Sequence, residues 1–473
     1  PYVEGRLWDD GDIPALALMA DAVHRHGSLA GIELCHGGYA HGNLYSREVP
    51  IAPSHLPVRG VQPVQARAMR RRDILELIGW YGEAARRARR AGFDIVYVYA
   101  GHQLSILQHF LSPRYNTRTD RYGGSLENRA RLLREVLEET RSAVGDRCAV
   151  ALRFSTDELD RQGMRADVEG RDVVEMLAGL PDLWDLCLSD WSNDSQSSRF
   201  SEEGFQEPYM SFVRQVTGGP VVGVGRFTSP DTMVSLVRRG ILDLVGAARP
   251  SIADPFLPDK LRRNAPGEIR ECIGCNICVS GDEYCVPIRC TQNPTMGEEW
   301  RRGWHPERVS SAAVSRTVLV IGSGPAGLEA ARILSARGHR VTLAEQDRLL
   351  GGRVRRESAL PGLSTWLRVR DYRLGRLGEM PALDIYPGSR MDADAIRLGP
   401  GRQSVAHQRG RLRPGPLDRI PVLRLPGHRQ IRRRVLPVGH ELCRRRTQLS
   451  PQLRHHHPAD HHGLLTPGRM VQR

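Results

Sequence analysis

Short apolar stretches alternate with longer amphipathic stretches through the first 260 residues of the chain. The apolar stretches predict buried strands at 30–34, 94–99, 149–154, 184–188, 221–224 and 243–246. Apolar residues at helical spacing predict helices at 13–26, 75–91, 125–144 and 230–239. Because parallel strands covered on both faces are apolar along their whole length, this repeat predicts a parallel α/β sheet.

A closed (β/α)8 TIM barrel requires eight strands, and six are recognisable here. The chain opens at Pro1 without a methionine, and a helix pattern begins almost at once. We therefore expect an N-terminally truncated barrel whose first two strands precede Pro1.

A glycine-rich turn later in the chain lies between a strand and a helix. The apolar run 317–321 leads into Gly322-Ser-Gly324-Pro-Ala-Gly327, and a second strand, 340–344, ends at Glu345. Such glycines allow a tight turn that holds a pyrophosphate at a helix N-terminus, and the acidic residue accepts hydrogen bonds from a ribose. The alternative is a purely structural turn. The pattern favours a Rossmann-like nucleotide-binding domain.

Cysteines cluster between these two regions. Cys272, Cys275 and Cys278 follow C-x2-C-x2-C spacing, and Cys290 comes twelve residues later. This spacing is typical of an iron–sulfur cluster, whereas zinc sites usually use two separated pairs of ligands. Cys285 is an alternative fourth ligand, but Cys290 is favoured because it opens a turn-like Cys-Thr-Gln-Asn-Pro segment.

The remaining cysteines and the hydropathy of the chain indicate its cellular compartment. Cys35, Cys148, Cys187 and Cys443 show no pairing pattern. The sequence contains no signal peptide and no apolar run long enough to span a bilayer. We therefore expect a cytoplasmic protein.

The positive charge is concentrated in the last segment of the chain. The net charge of the 473 residues is +14, and residues 396–473 contain 17 arginines but 3 acidic residues. The remainder is close to neutral, which argues against a nucleic-acid-binding role. Lys260 is the only lysine, as expected for a GC-rich gene. The Arg/Pro/His-rich tail therefore favours out-of-frame translation from near Arg397, with a basic disordered tail as the alternative.

These patterns together predict four segments. They are a truncated barrel at 1–263, a cluster segment and linker at 264–315, a partial Rossmann-like domain at 316–395, and the tail at 396–473.

Several motifs resemble one known family. They are Gly31-Ile-Glu-Leu, Asp94-Ile-Val-Tyr-Val-Tyr99, Arg121-Tyr-Gly-Gly-Ser-Leu-Glu-Asn-Arg129, Gly246-Ala-Ala-Arg-Pro-Ser-Ile-Ala-Asp-Pro255 and the cysteine motif. The chain is identified as similar to the trimethylamine dehydrogenase group of flavin and iron–sulfur enzymes. This group shares its barrel with the old yellow enzymes and the 2,4-dienoyl-CoA reductases. Within the group, the chain most resembles the histamine dehydrogenases.

The resemblance implies FMN at the barrel mouth, a [4Fe-4S] cluster beside it, and ADP or FAD in the third domain. It places Glu33 and Arg153 near the flavin, where the guanidinium would stabilise the reduced ring. The turns Gly225-Arg226 and Ala248-Arg249 resemble the family's phosphate-binding loops. Any of these arginines could instead be a solvated surface charge.

The resemblance also implies a catalytic group of Tyr99, His102 and Asp194, which would tune the ionisation of a bound amine. Trp191 matches one wall of the family's aromatic amine pocket, whereas two other wall positions are Cys35 and Asp282. A carboxylate at Asp282 suits a substrate with a second polar or cationic group, such as histamine. The alternative is a carboxylate that caps a loop.

The predicted function is therefore amine dehydrogenation by FMN and the cluster. The expected electron acceptor is an electron-transferring flavoprotein or a small redox protein, and the expected assembly is a homodimer without nucleic acid or membrane. One alternative is an NADPH-dependent dienoyl-CoA or enoate reductase of the same family. The other is an inactive fragment that only binds nucleotide.

Overall fold

The computed structural model describes residues 5–40, 48–58, 64–194, 198–283 and 286–398. The predicted tail, Cys285 and Cys443 lie outside these residues, apart from the first positions of the tail. In chain order, the strands are β1 (Gly31–Leu34), β2 (Ile51–Ala52), β3 (Leu56–Pro57), β4 (Gln65–Ala68), β5 (Ile95–Ala100), β6 (Ala149–Ser155), β7 (Leu183–Cys187), β8 (Val221–Gly223), β9 (Leu244–Val245), β10 (Thr317–Ile321), β11 (Arg340–Ala344) and β12 (Leu383–Tyr386).

The helices lie mainly between these strands. They are α1 (Ile13–His24), α2 (Arg71–Arg90), α3 (Ile106–Leu111), α4 (Leu126–Val144), α5 (Arg171–Leu177), α6 (Glu207–Met210), α7 (Val213–Thr217), α8 (Pro230–Arg238), α9 (Ala248–Ala253), α10 (Leu257–Arg262), α11 (Ile277–Glu283), α12 (Glu299–Arg302), α13 (Pro325–Ala336), α14 (Arg353–Glu357), α15 (Arg368–Gly378) and α16 (Ala393–Leu398).

Six parallel strands form the first sheet, in the order β1-β5-β6-β7-β8-β9. They coincide within two residues with the six strands predicted from the apolar runs. β1 and β9 are the edges, and no pairing joins them among the described residues. Because each edge strand lacks a neighbour on one side, some of its residues are exposed, such as Glu33 in β1 and Leu244 in β9. The sheet is thus six parallel strands of barrel type with two open edges.

Local sequence explains why the long helices start where they do. The side chain of Ser125 caps α4 by accepting a hydrogen bond from the Asn128 N–H at 3.4 Å. The preceding turn requires Gly123, because a Cβ atom there would lie 2.4 Å from the carbonyl oxygen of Arg118. α4 then packs beside α2 over the sheet, and their apolar faces contribute Leu77 and Leu133 to the main core.

A second parallel sheet, β10-β11-β12, forms the Rossmann-like unit. Its core contains Val318, Val320, Leu328, Leu343 and Leu377, contributed by the strands and by α13 and α15. The predicted strand–turn–helix–strand order from 317 to 345 is confirmed.

The segment that carries the cysteines packs against the Rossmann-like unit. Ile273 forms a small buried cluster with Val354 and Val369, and the ring of Trp366 and the side chain of Cys275 pack against it. The cysteine segment is therefore anchored on the third domain.

Candidate active site

The three predicted catalytic side chains form one buried hydrogen-bonded chain. The Tyr99 hydroxyl lies 2.5 Å from Nδ1 of His102, and Nε2 of His102 lies 2.8 Å from Oδ2 of Asp194. Their exposed fractions are 5%, 1% and 2%. The structure therefore brings together residues from β5, from the loop that follows it, and from the turn after β7.

Asp194 is held from its other oxygen. Oδ1 accepts hydrogen bonds from the Leu188 N–H at 3.1 Å and from Nε2 of Gln206 at 2.7 Å. A carboxylate with several donors remains ionised, so the imidazole Nε2 donates to it and Nδ1 faces the phenol. Sequence reasoning missed Gln206, because no motif marks this fully buried amide.

Electrostatics increase the affinity of the His102 imidazole for a proton. Burial alone would lower the pKa of His102, but the nearby Cys187 sulfur and the Asp194 carboxylate outweigh burial and raise this pKa above its ordinary value. Burial raises the pKa of Tyr99, so the phenol keeps its proton at neutral pH. The pair can thus hold one proton between Tyr99 O and His102 Nδ1.

Backbone strain is concentrated around this chain. His102, Gln103 and Ser189 have φ values of 55°, 56° and 49°, in the left-handed region that non-glycine residues seldom adopt. Gln103 and Ser189 also line a cavity of about 310 Å³ together with Asn193. Strained residues of this kind persist where surrounding contacts enforce them, and they are common at functional sites.

Arg153 of β6 occupies the interior of the sheet between two carboxylates. Its Nη1 lies 3.4 Å from Oε2 of Glu33, and its Nε lies 3.9 Å from Oδ2 of Asp185. Burial raises the pKa of Asp185 to about 6, although the arginine opposes this shift. We did not predict Asp185; the signal was a charged residue inside an apolar strand.

Two of the predicted flavin-binding arginines have a buried N–H group without a hydrogen-bond partner. Nε of Arg153 and Nε of Arg226 are both in this state among the described residues. Arg226 follows β8 at φ 56°, and burial and the nearby Arg249 both lower its pKa, although Glu203 opposes them. The unsatisfied Nε of Arg226, close to the positive charge of Arg249, fits an anion, so the Gly225-Arg226 and Ala248-Arg249 turns suit the phosphate of FMN.

The cysteine loop gathers the four predicted ligands. Sγ of Cys272 accepts the Gly274 N–H and Sγ of Cys290 accepts the Gln292 N–H, each at 3.4 Å. Burial raises the pKa of Cys272 to about 11, with Cys290 and Cys275 adding to the shift. Cys278 likewise carries a raised pKa, chiefly from burial.

The backbone and the donor set of the loop suit an iron–sulfur cluster. Gly274 has φ 61°, and a Cβ atom there would lie 2.8 Å from the Arg199 backbone nitrogen. Among the described residues, no three His, Cys, Asp or Glu side chains converge closely enough to hold one metal ion. Four soft thiols, two of which accept N–H···S hydrogen bonds, are the donor set that an iron–sulfur cluster uses.

The two predicted substrate residues are not joined by any contact. Trp191 is half-buried in the turn that precedes Asp194, and Asp282 is exposed on α11, four residues after Cys278. Neither side chain has a hydrogen bond or ion pair with the other described residues. Cys35, at the third wall position, is exposed at the end of β1.

The glycine-rich turn has the expected conformation. Gly322 has φ 95°, and a Cβ atom at Gly327 would lie 1.9 Å from the Gly322 carbonyl oxygen, so helix and turn require glycine there. Gly324 is the N-cap of α13. The fit is that of a turn whose backbone approaches a pyrophosphate.

Glu345 is already engaged within the turn. Its Oε2 accepts hydrogen bonds from the N–H and the hydroxyl of Ser323, both at 2.7 Å, and its Oε1 accepts the Asp347 N–H at 2.9 Å. A second glycine pair, Gly351-Gly352, packs on the turn, with Gly352 facing Gly324. We did not predict this pair; two adjacent glycines after the second strand were the available signal.

Comparison with known proteins identifies the family of the chain. Residues 3–268 match the model of the NADH:flavin oxidoreductase / NADH oxidase family, and residues 320–373 match an NAD(P)-binding Rossmann-like domain. The first match covers more than half of the chain. The chain belongs to the NADH:flavin oxidoreductase / NADH oxidase family. The predicted barrel-type and Rossmann-like fold classes are confirmed by these matches.

Within this family the chain is similar to amine dehydrogenases. It is 43% identical to dimethylamine dehydrogenase of Hyphomicrobium sp. over 80% of the chain and 53% of that protein. It is 54% identical to the structure of histamine dehydrogenase from Rhizobium sp. 4-9, with a TM-score of 0.81, over 83% of the chain and 57% of that protein.

Another neighbour of equal similarity is a structure of 6-hydroxypseudooxynicotine amine oxidase from Pseudomonas geniculata N1, also 54% identical with a TM-score of 0.81, over 83% of the chain and 59% of that protein. The chain thus spans a little over half the length of the relatives that it matches. No helix among the described residues is long and apolar enough to cross a membrane.

Proposed function

We propose that this chain forms the flavin and iron–sulfur part of an amine dehydrogenase that oxidatively deaminates a small amine, with histamine favoured. The observation that carries the proposal is the buried chain of Tyr99, His102 and Asp194. It occurs in a protein 54% identical to a histamine dehydrogenase and 43% identical to a dimethylamine dehydrogenase.

The buried chain supplies a proton acceptor for the substrate. An amine must lose its ammonium proton before its nitrogen lone pair can assist cleavage of the adjacent C–H bond. His102 and Tyr99 share a proton position, and Asp194 stabilises the imidazolium that results when a proton is taken up. We assign His102 as the group that holds this proton and Asp194 as the residue that orients it.

Arg153 and the two arginine turns would bind the flavin. Arg153, flanked by Glu33 and Asp185, would face the ring, while Arg226 and Arg249 would hold the phosphate. FMN, when bound, accepts the electron pair and proton that leave the C–H bond of the amine. Water then converts the released imine to an aldehyde and ammonia.

The cysteines and the glycine-rich turn would bind the cofactors on the route of electrons from the flavin to the acceptor. Cys272, Cys275, Cys278 and Cys290 would hold a [4Fe-4S] cluster, which carries one electron at a time. The turn from Gly322 to Gly327, with Glu345, would hold ADP or FAD. An electron-transferring flavoprotein or small redox protein would take up the electrons, and the homodimer stays a prediction.

The substrate class is proposed from Asp282 and Trp191. An exposed carboxylate beside the cysteine loop can bind a second cationic or hydrogen-bonding group, and a tryptophan face attracts an ammonium group. Histamine has both groups, whereas a methylated amine has only the second.

The second candidate function is a reductase that takes electrons from NADPH. One relative favours this function. The NADH oxidase of Thermoanaerobacter brockii is 33% identical to the chain over 83% of the chain's length. The greater similarity to the amine dehydrogenases and the carboxylate at Asp282 favour the amine.

An anaerobic absorbance titration of the flavin-loaded holoenzyme separates the two functions. Histamine, trimethylamine and NADPH are added in separate cuvettes. Bleaching of the flavin by histamine, but not by NADPH, is the expected result. Bleaching by NADPH and by neither amine would contradict the proposal and indicate a reductase.

Tyr99→Phe sharpens this experiment, because it removes the hydroxyl and keeps the ring. It should slow bleaching by histamine at least about tenfold, given the usual contribution of a positioned proton-transfer group. Tyr122→Phe is the matched control, since that phenol donates to Glu135 at 2.9 Å on α4, away from the site.

A further inference from the structure

A buried arginine of the third domain donates hydrogen bonds to the cysteine loop. Arg373 of α15 is 3% exposed, and its guanidinium donates to Oε1 of Gln292 at 3.0 Å and to the Gln292 carbonyl oxygen at 3.1 Å. It also donates to the Val369 carbonyl oxygen at 2.8 Å. One guanidinium therefore fixes both the side chain and the backbone of a single glutamine.

Gln292 in turn joins two arms of the cysteine loop. Its backbone N–H donates to Sγ of Cys290, and its Nε2 donates to the carbonyl oxygen of Glu271 at 3.0 Å. Glu271 precedes Cys272 directly. Gln292 thus ties the arm that carries Cys290 to the start of the arm that carries the other three thiols.

The other side of Arg373 is fixed by the helix that begins at the glycine-rich turn. Its Nε lies 2.8 Å from Oε2 of Glu329 on α13. Oε1 of Glu329 accepts hydrogen bonds from Arg332 at 2.6 and 3.1 Å, and Arg332 also donates to the Pro306 carbonyl oxygen. These side chains are almost fully buried, so each depends on its partners to offset desolvation.

Cys290 has a particular need for such an anchor. Cys272, Cys275 and Cys278 lie within seven residues of one loop, whereas Cys290 follows twelve residues after Cys278. Its position is therefore set by contacts with distant residues, and a hydrogen bond to its sulfur also influences the redox potential of a cluster.

We propose that Arg373 is a positioning residue for the Cys290 arm of the cluster site, acting through Gln292. By this contact the third domain holds the fourth ligand, and Glu329 connects the contact to the helix of the nucleotide-binding turn. This inference rests on the proposed [4Fe-4S] cluster, and its test measures the cluster and not turnover.

The test compares Arg373→Met and Gln292→Leu holoenzymes with the parent. We expect iron to be lost to a ferrous chelator about ten times faster in both variants, in line with the loss of an outer-shell partner of a metal ligand. The midpoint potential of the cluster, followed by electron paramagnetic resonance, should shift as the N–H···S bond to Cys290 weakens. The flavin content should be unchanged.

The two variants separate positioning from general stability. Gln292→Leu keeps the Arg373–Glu329 ion pair, so the thermal midpoint should fall less than in Arg373→Met while iron release is as fast. The double variant should release iron no faster than either single variant, because both break one connection. Arg373→Lys keeps the charge but cannot donate to both Gln292 oxygens in the same geometry, so it should rescue only in part.

Arg262→Met is the matched control, since its side chain is 80% exposed and, within the described part of the chain, pairs only with Asp259 on the same helix. If Gln292→Leu releases iron at the parent rate and has the parent midpoint potential, the inference is overturned. This result is decisive even if Arg373→Met fails to fold. A parent holoenzyme without iron and acid-labile sulfide would instead overturn the cluster itself, while flavin bleaching by histamine would still test the amine dehydrogenase proposal separately.

Discussion

The barrel site and the cysteine loop fix their functional side chains in different ways. In the barrel, Tyr99, Arg153 and Asp185 are direct neighbours in the strand register, so the backbone ladder sets their spacing. In the cysteine loop, irregular backbone carries three of the four thiols, and a distant arginine holds the arm of Cys290. Function in the barrel should therefore depend on the reacting side chains, and function in the loop on remote contacts as well.

The largest effect should come from Cys290→Ser, which removes the thiol that the remote contacts hold in place. Because hydroxyl oxygen is a poor ligand for iron, we expect nearly complete loss of the [4Fe-4S] signal and of its iron and sulfide. Cys285→Ser is the control and should retain both. Loss of the cluster in Cys285→Ser and its retention in Cys290→Ser would reverse the assignment of the fourth ligand.

Asp194→Asn tests the barrel site. The carboxylate helps to raise the pKa of His102, so the amide should lower it and move the His102 limb of the reduction-rate profile to lower pH. The rate of flavin reduction by amine should fall by roughly 10²–10⁴. Stopped-flow reduction across pH measures both effects. Asp167→Asn, at a carboxylate 67% exposed, should change neither; an unmoved profile in Asp194→Asn would contradict the role of Asp194.

Asp282→Asn probes the exposed carboxylate on α11. If the carboxylate binds the second cationic group of histamine, the Kd for histamine should rise by about 10- to 100-fold, the usual cost of losing a hydrogen bond to a charged group. Binding of dimethylamine should change little. An equal loss for both amines would show that Asp282 acts on the loop and not on the substrate.

The smallest effect is expected in the nucleotide-binding turn, where Ser323→Ala removes one of the three hydrogen bonds to Glu345. Because Ser323 acts on the nucleotide only through the orientation of Glu345, we expect a loss of about 0.5–1.5 kcal/mol, so release of the bound nucleotide should speed up by about two- to tenfold. Release is followed by chromatography after dilution. Slower release would indicate that the serine competes with the ribose for Glu345.

The sequence predicted much of the fold and only part of each site. The apolar runs at 94–99 and 149–154 marked strands within one residue, because a strand buried on both faces has a continuous apolar signature. Tyr99, His102 and Asp194 were found through family motifs. Gln206 and Asp185 were missed, since neither an amide in a loop nor a single acid in a strand has a pattern of its own.

The sequence by itself determined the parallel strands, the glycine turn and the spacing of the first three thiols. These features depend on neighbours within a few residues, where propensity and backbone geometry act directly. Which groups form hydrogen bonds with the buried polar atoms depends on the tertiary structure. Asp194 lies 92 positions from His102, and Arg373 lies 81 positions from Gln292. A buried donor or acceptor takes whichever partner the fold brings within reach, because leaving it unpaired costs more than almost any local preference.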